Sequence, residues 1–301
     1  MLYNNLSSYL KMKYGGKVSK ICIDGGFGCP NRDGTCGVGG CIYCGERGAG
    51  EHIDPSVSIR EQVEAVLGRD KRSDHFIAYF QNFTNTYASV DVLKERYDSA
   101  LISDRIVALA IGTRPDCITE EIAELIASYR DRVDVWVELG LQTSSEETAE
   151  YIRRCYRNEV YEEAVRRLKE LDVPVITHVI LGLPGETEDD MKATVRYAVD
   201  CGTWGLKLQL LHVLEGTDLG EQYKAQKAGS PLPGARPVRV MSLEEYTDLL
   251  CALLPLIPND VVIHRLTGDG PKRILLAPLW SGDKKRVLNT IGKAIRELPE
   301  P

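Results

Sequence analysis

Short apolar runs alternate with longer amphipathic stretches along most of the chain. KVSKICI (17–23), HFIAYF (75–80), DRIVALAIG (104–112), VDVWVELGL (133–141), PVITHVILG (174–182) and WGLKLQLLHV (204–213) are rich in β-branched and aromatic residues and read as strands. Between them, IREQVEAVLG (59–68), SVDVLKERYDSALI (89–102), TEEIAELIASYR (119–130), SSEETAEYIRR (144–154), VYEEAVRRLKEL (160–171) and TEDDMKATVRYAVDCG (187–202) place apolar residues three and four apart, as helices do. Thr119, followed by Glu120 and Glu121, is a candidate N-cap. Six strand-then-helix units result, provided that the region beyond His212 supplies the last helix.

Short apolar strands separated by helices point to an α/β fold with a parallel sheet covered on its outer side. Six units are too few to close an eight-strand barrel, so the expectation is a partial (β/α)6 TIM-like barrel. QNFTNT, GTRPD, ELGLQTS, GLPGET and LLHVLEGT all fall at strand C-terminal ends, where barrel enzymes build their sites. Residues 216–240 are rich in Gly, Pro and Lys and read as a connecting or lid segment. Beyond them come a helix at SLEEYTDLLCALLPLI (242–257), a possible added strand at DVVIHRL and a final amphipathic helix at KRVLNTIGKAIREL (285–298). The expected division is a barrel with an N-terminal cysteine loop over 1–215, the connector over 216–240 and a C-terminal extension packed on the barrel over 241–301.

Composition adds an address. With 301 residues, 43% hydrophobic and 27% charged, the chain can bury a substantial core. There is no uncharged apolar run of about 18 residues, and the start MLYNNLSSYLKMKYGG lacks the apolar stretch of a signal peptide, so a cytoplasmic protein with no membrane partner is expected. The net charge of −7 argues against indiscriminate nucleic-acid binding but leaves room for a local basic face.

The cysteines change the picture most. Nine is an odd number, and in a reducing compartment thiols are buried, catalytic or metal-bound rather than paired. Cys117, Cys155, Cys201 and Cys251 are scattered and read as small buried residues, as does Cys22 within the first strand. The other four stand as Cys29-x6-Cys36-x4-Cys41-x2-Cys44 in a stretch too glycine-rich for a helix or a central strand. Soft thiolates select zinc or iron–sulfur. Four ligands would complete a structural zinc or a fully ligated cluster, whereas three would leave one iron open.

DGGFGCPNRDGTCGVGGCIYCGERGAG resembles the cluster loop of the radical S-adenosylmethionine (SAM) superfamily, in the YhcC/YtqA-like branch related to the elongator catalytic subunit, with its long C-x11-C-x2-C spacing. The similarity continues through YFQNFTNTY, GTRPDC, ELGLQTS, HVILGLPGET, KLQLLHVLEGT and IHRLTGDGPK. The resemblance implies that Cys29, Cys41 and Cys44 ligate a [4Fe-4S] cluster whose open iron binds SAM, and that reductive cleavage of SAM gives a 5′-deoxyadenosyl radical. Cys36 departs from the family loops, although Cys36-x4-Cys41-x2-Cys44 is also an iron–sulfur spacing.

By the same resemblance, Gln81 to Thr84 surround the amino group of SAM, Thr113 and Arg114 stand on the next rim, and Glu138 and Gln142 flank the fourth strand's end. Arg154 takes the place of an arginine in an N-R-x-H motif that meets the carboxylate, although the run here is IRRCYR, without the flanking Asn and His. His178 and the turn 181–184 match the region that holds adenine and ribose. Simpler readings stand beside these: an ion pair for Arg114 with Asp116, a hydrogen-bonded core position for His178, a solvated helix face for Arg154. His212, His264, Arg265 and Asp269 are candidates for the substrate side. None of the five histidines pairs at metal-ligand spacing, and there is no P-loop or nucleophile elbow.

The branch resembles enzymes of the transfer RNA wobble uridine, which implies a tRNA substrate, conversion of a carboxymethylaminomethyl side chain toward an aminomethyl one, and an electron donor such as flavodoxin or ferredoxin. Basic runs in RRCYR, RRLK and DKKR offer phosphate contacts, or simply solvated helix faces. The competing classes are a radical enzyme acting on a small metabolite or tetrapyrrole, and a non-catalytic RNA adaptor holding zinc on the four loop cysteines.

Overall fold

A computed structural model of the chain describes residues 3–48, 56–268 and 270–298. The six expected strands form as β2 (Val18–Ile23), β3 (His75–Phe80), β4 (Ile106–Thr113), β5 (Asp134–Gln142), β6 (Val175–Leu181) and β7 (Gly205–Leu210). They lie side by side in sequence order, every pairing parallel. Two further parallel strands extend the β7 edge: β9 (Val262–Arg265), foreshadowed by DVVIHRL, and β1 (Asn4–Asn5), which has no recognisable sequence pattern at two residues. The order β1-β9-β7-β6-β5-β4-β3-β2 leaves the sheet unclosed, because β1 and β2 do not pair. The fold is an α/β partial TIM-like barrel.

The sheet's outer face is covered by α2 (Ile59–Arg69), α3 (Val90–Ala100), α4 (Glu120–Ser128), α6 (Asn158–Glu170) and α7 (Glu188–Asp200), joined by α9 (Leu243–Leu253) and α10 (Lys284–Glu297) from the C-terminal part. Their starts are set locally. Ser58, Thr187 and Ser242 form reciprocal capping boxes, and Thr119 Oγ1 accepts the backbone N–H of Ile122, as its position suggested. The short α5 (Glu146–Tyr151) follows β5.

The inner face is closed by α1 (Leu6–Tyr14), which the polar start of the chain conceals. Leu6 and Leu10 join one buried cluster with Ile77, Tyr79, Ala108, Ala110, Trp136, Ile176 and Val262. Residues from five strands thus meet beneath a single helix, which requires the sheet to curl around it. The expected connector over 216–240 contains α8 (Asp218–Lys227), whose start is capped by the Thr217 hydroxyl. At the C-terminal rim, β8 (Val213–Leu214) and β10 (Leu275–Ala277) form an antiparallel ribbon.

Candidate active site

The cysteine loop leaves β2 at the C-terminal end of the sheet and is held by specific backbone bonds rather than by regular structure. The Cys29 carbonyl accepts the N–H of Arg32 (2.9 Å), the Pro30 carbonyl that of Cys36 (2.8 Å), and the Cys41 carbonyl that of Cys44 (3.0 Å). Gly39 and Gly40 sit at φ 81° and 85°, a left-handed conformation that glycine adopts without cost and that turns the chain into the CxxC segment. Arg32 reaches across to the carbonyls of Cys44 (3.1 Å) and Gly45 (2.6 Å). The buried Asn31 donates to the Arg153 carbonyl (2.6 Å) and to Cys41 Sγ (3.4 Å).

The four thiols do not share one environment. The Cys29 thiol disfavours ionisation of both Cys41 and Cys44. Burial, with Cys44 beside it, pushes the Cys41 thiol up to about 11, and burial raises Cys44 while Arg32 opposes the rise. Cys36 is exposed: its sulfur lies 3.9 Å from Asp116 Oδ2, and it and Cys29 both disfavour ionisation of the buried Cys117.

The rims of β3 and β4 close over the loop. Thr84 N–H donates to the Gly28 carbonyl (3.1 Å), tying the NFTNT segment to the cysteine loop. Asn82 Nδ2 donates to Asp24 Oδ2 (2.7 Å), and Asn85 Nδ2 to the Gly112 carbonyl (2.7 Å). The opposite ends of these amides, Asn82 Oδ1 and Asn85 Oδ1, and the Thr84 hydroxyl are buried without a partner. Three unsatisfied oxygens in four residues suit a ligand rich in N–H donors. Gln81 stands half-buried at the start of this segment, and Thr113 is buried with its hydroxyl 2.6 Å from that of Thr86.

Arg114 makes a bidentate pair with Asp116, Nε to Oδ1 at 2.9 Å and Nη2 to Oδ2 at 2.6 Å, and its third nitrogen donates to the Arg154 carbonyl (3.1 Å). Burial disfavours its charge, but Asp116 outweighs that and holds the guanidinium protonated. Arg154, at 1% exposure, is not on a solvated face. It donates to the carbonyls of Tyr156 (2.9 Å), Leu141 (2.9 Å) and Thr143 (2.8 Å) and to Asn158 Oδ1 (2.8 Å). Its guanidinium thus braces the end of β5 against the following segment.

Gln142, the last residue of β5, has φ 62°, and the β5–β6 register shifts between Gly140 and Gln142. Regular alternation from Trp136 and Glu138 would set Gln142 on the inner face, and the left-handed residue breaks that alternation at the rim. Tyr156 completes the corner, its hydroxyl donating to the Gly140 carbonyl and lying 3.1 Å from Gln142 Oε1. Both arginines stack on the Tyr156 ring, at 4.9 Å for Arg114 and 4.6 Å for Arg154.

Below the rim, the barrel interior is charged. Glu138 is fully buried and accepts from Lys207 Nζ and, at 2.8 Å, from His178 Nε2, with Lys20 Nζ 3.8 Å away. Burial alone would protonate it, but Lys207, Lys20 and His178 keep it ionised. Lys207 also donates to the Tyr79 hydroxyl (2.9 Å). Burial, with Lys207 beside it, pushes His178 down to about 4, so the imidazole is neutral near pH 7, and Gln209 lies 3.1 Å from its Nδ1. Sequence reasoning named Glu138 and His178 but missed Lys20, Lys207, Tyr79 and Gln209. The signal was available in the period-2 alternation, since KVSKICI and GLKLQL place a lysine at an inward position of an otherwise apolar strand. Of the substrate-side candidates, His212 sits at the β8–β10 ribbon and the half-buried His264 packs its ring edge-on against Trp136 and Trp204, while Asp269 lies outside the described residues.

Residues 26–198 match the family model of the radical SAM superfamily, and residues 203–297 that of the radical SAM C-terminal domain. The chain belongs to the radical SAM superfamily and is an enzyme of that class, whose members use a [4Fe-4S] cluster and SAM. It is 38% identical over 297 residues to YtqA of Bacillus subtilis, covering 97% of this chain and 89% of that one. It is 31% identical over 179 residues to the tRNA uridine(34) acetyltransferase of Dehalococcoides mccartyi, covering 58% of this chain and 36% of that one. The fold superposes on archaeal Elp3 of Methanocaldococcus infernus with a TM-score of 0.63 at 19% identity, over 92% of this chain and 63% of that one. Among the described residues no helix is long and apolar enough to cross a membrane.

The residues present fit these cofactors. Among the described residues no three Cys, His, Asp or Glu side chains converge closely enough to hold a metal ion, so the fit rests on the donor set: three half-buried thiols on one loop, and unsatisfied amide and hydroxyl oxygens on the rim segment bonded to that loop. When bound, the cluster and SAM supply one-electron cleavage of a sulfonium and a radical able to take hydrogen from an unactivated C–H bond. The protein's share is to bind and orient them and to exclude water.

Proposed function

We propose that this enzyme modifies wobble uridine in tRNA, converting a carboxymethylaminomethyl side chain toward an aminomethyl one. The observation that carries this reading is the 31% identity, over 179 residues, to an enzyme named for uridine 34 of tRNA. Hydrogen-atom abstraction suits such a side chain because its C–H bonds offer no acidic proton. In this reading Cys29, Cys41 and Cys44 hold the cluster, and the Gln81–Thr84 segment takes the amino group of SAM. Thr113, Arg114, Glu138, Gln142, Arg154 and His178 shape the rest of the cofactor site, Arg154 and Glu138 by bracing rather than by contact. A flavodoxin or ferredoxin supplies the electron in the cytoplasm, and residues 1–215, 216–240 and 241–301 act as barrel, connector and extension.

The test is mass spectrometry of tRNA nucleosides from the source cell with and without the gene. Loss of one wobble-uridine derivative with accumulation of its precursor, restored by the wild-type gene and by Cys36→Ala but not by Cys29→Ala or Cys41→Ala, is expected. An unchanged profile overturns the tRNA reading. Rescue by Cys29→Ala but not by Cys36→Ala moves the third ligand to Cys36.

A further inference from the structure

Charge is unevenly distributed along the chain. From Arg265 to the C-terminus there are eight Lys and Arg against four Asp and Glu, a net of +4 in a chain of −7, so the preceding 264 residues carry −11. The positive residues concentrate between 272 and 286, where Lys272, Arg273, Lys285 and Arg286 are all exposed. Among them, two leucines project into solvent, Leu279 at 72% and Leu288 at 46% exposure. An open cleft of about 850 Å³ runs through the strip, lined by Gly270, Lys272, Leu275, Leu279, Lys284 and Lys285. Asp283, which also lines it, is engaged as the N-cap of α10, accepting from Arg286 N–H (3.1 Å).

The strip belongs to the catalytic rim. β10 pairs with β8, which follows the C-terminal end of β7, and His212 Nε2 lies 3.1 Å from Ser281 Oγ. Trp280 Nε1 donates to the Met241 carbonyl (2.9 Å), and Ala277 shares a buried apolar cluster with Val213, Leu219 and Ile42 of the cysteine loop. The basic surface is therefore packed, through a small core of its own, against the loop that carries the cysteines.

We infer that this ledge is the RNA-docking surface, with Lys272, Arg273, Lys285 and Arg286 on phosphates and Leu279 and Leu288 under ribose and unstacked bases. The inference rests on the tRNA reading above. Cations interleaved with solvent-exposed apolar side chains match a single-stranded or loop RNA, which offers phosphates and exposed base faces together. An otherwise acidic chain that must admit a polyanion to its barrel mouth needs a local positive surface there.

The test uses the full chain, reconstituted with its cluster under anaerobic conditions, and an unmodified tRNA transcript, with binding followed by fluorescence anisotropy across a salt series. Lys272→Glu with Lys285→Glu is expected to weaken binding at least tenfold at 0.1 M salt. It should also flatten the slope of log Kobs against log salt by about 1.4, at about 0.7 for each single-strand phosphate no longer neutralised. Lys11→Glu with Arg69→Glu makes the same change in net charge at the opposite end of the barrel and is expected to leave binding within twofold. Iron and sulfide content and the visible absorbance of the cluster report on folding of each variant. Equal binding by wild type and the ledge variant overturns the ledge and leaves the tRNA reading standing, as does an equal loss in both variants. No binding of tRNA by the wild type overturns both. Undiminished tRNA binding with loss of flavodoxin-driven, but not dithionite-driven, cleavage of SAM would assign the ledge to the electron donor instead.

Discussion

Arg154 and Glu186 show how single side chains at this rim divide between bracing and titration. Arg154 spends its guanidinium on three backbone carbonyls and Asn158, so Arg154→Met would leave those acceptors buried and unmet. The expected cost is about 3 kcal/mol, read as a lower denaturant midpoint with unchanged slope. A direct ligand of the SAM carboxylate would instead lose SAM affinity at constant stability. Glu186, in the GLPGE turn, accepts from Thr143 Oγ1, and burial pushes its carboxyl up to about 7 against an ordinary 4.5. A folded-state value raised above the unfolded one means that the protonated form is favoured by folding. Its stabilisation is full below about pH 4.5 and is lost as pH rises through about 7. Glu186→Gln keeps the acceptor without the charge, so the variant should gain thermal stability relative to wild type at pH 8 and not at pH 4.5. An identical pH dependence of Tm in the two proteins would remove Glu186 from this role.

At the scale of the element, the end of β5 carries the most consequence for the site. A Cβ on Gly140 would stand 2.2 Å from Gln142 Nε2, the far end of a flexible side chain. Gly140→Ala is therefore expected to fold, at a cost of about 1 kcal/mol, while pushing Gln142 out of the position that its φ of 62° and Tyr156 give it. Isothermal titration should show at least tenfold weaker SAM binding, and an unchanged affinity would mean that Gln142 does not face the cofactor. This corner also marks where the sequence stops being legible. The strands and their order follow from apolar runs that the structure reproduces nearly to the residue, and the start of α4 from Thr119. The cysteine loop is readable because thiol spacing is a strong signal. The left-handed Gln142, the bracing of Arg154 and the inner plug α1 depend on tertiary contacts that no local pattern encodes. α1 has too weak an apolar stripe to stand out, and Leu6 and Leu10 acquire meaning only once Trp136 and Val262 are brought beneath them. Likewise α8 lies in a segment whose Gly and Pro content points to a loop, and it forms because Thr217 caps it and Leu219 enters the apolar cluster around Ile42.

At the scale of the whole molecule, the sheet and the cysteine loop differ in what holds them. The sheet is a continuous parallel ladder over a large buried core, whereas the loop rests on a few backbone bonds, among them Ile42 N–H to the Ile152 carbonyl (3.2 Å) and Leu219 N–H to the Ile42 carbonyl (2.9 Å), and on one small apolar cluster. The segment 153–155 that backs it holds Arg153 and Cys155 at φ 57° and 64°, conformations that the surrounding structure must enforce. A region with little buried apolar packing opens at lower free energy than the core, and a ligand that binds the closed form stabilises it by mass action. Oxidative removal of the cluster with a chelator should therefore speed amide hydrogen exchange in residues 29–44, 151–157 and the start of α8 at Leu219, the three parts joined by those two bonds. Exchange in β3 to β6 should change little. Equal acceleration in loop and sheet would show that the cluster supports the entire barrel. No acceleration anywhere would show that the loop keeps its fold without help from the cluster.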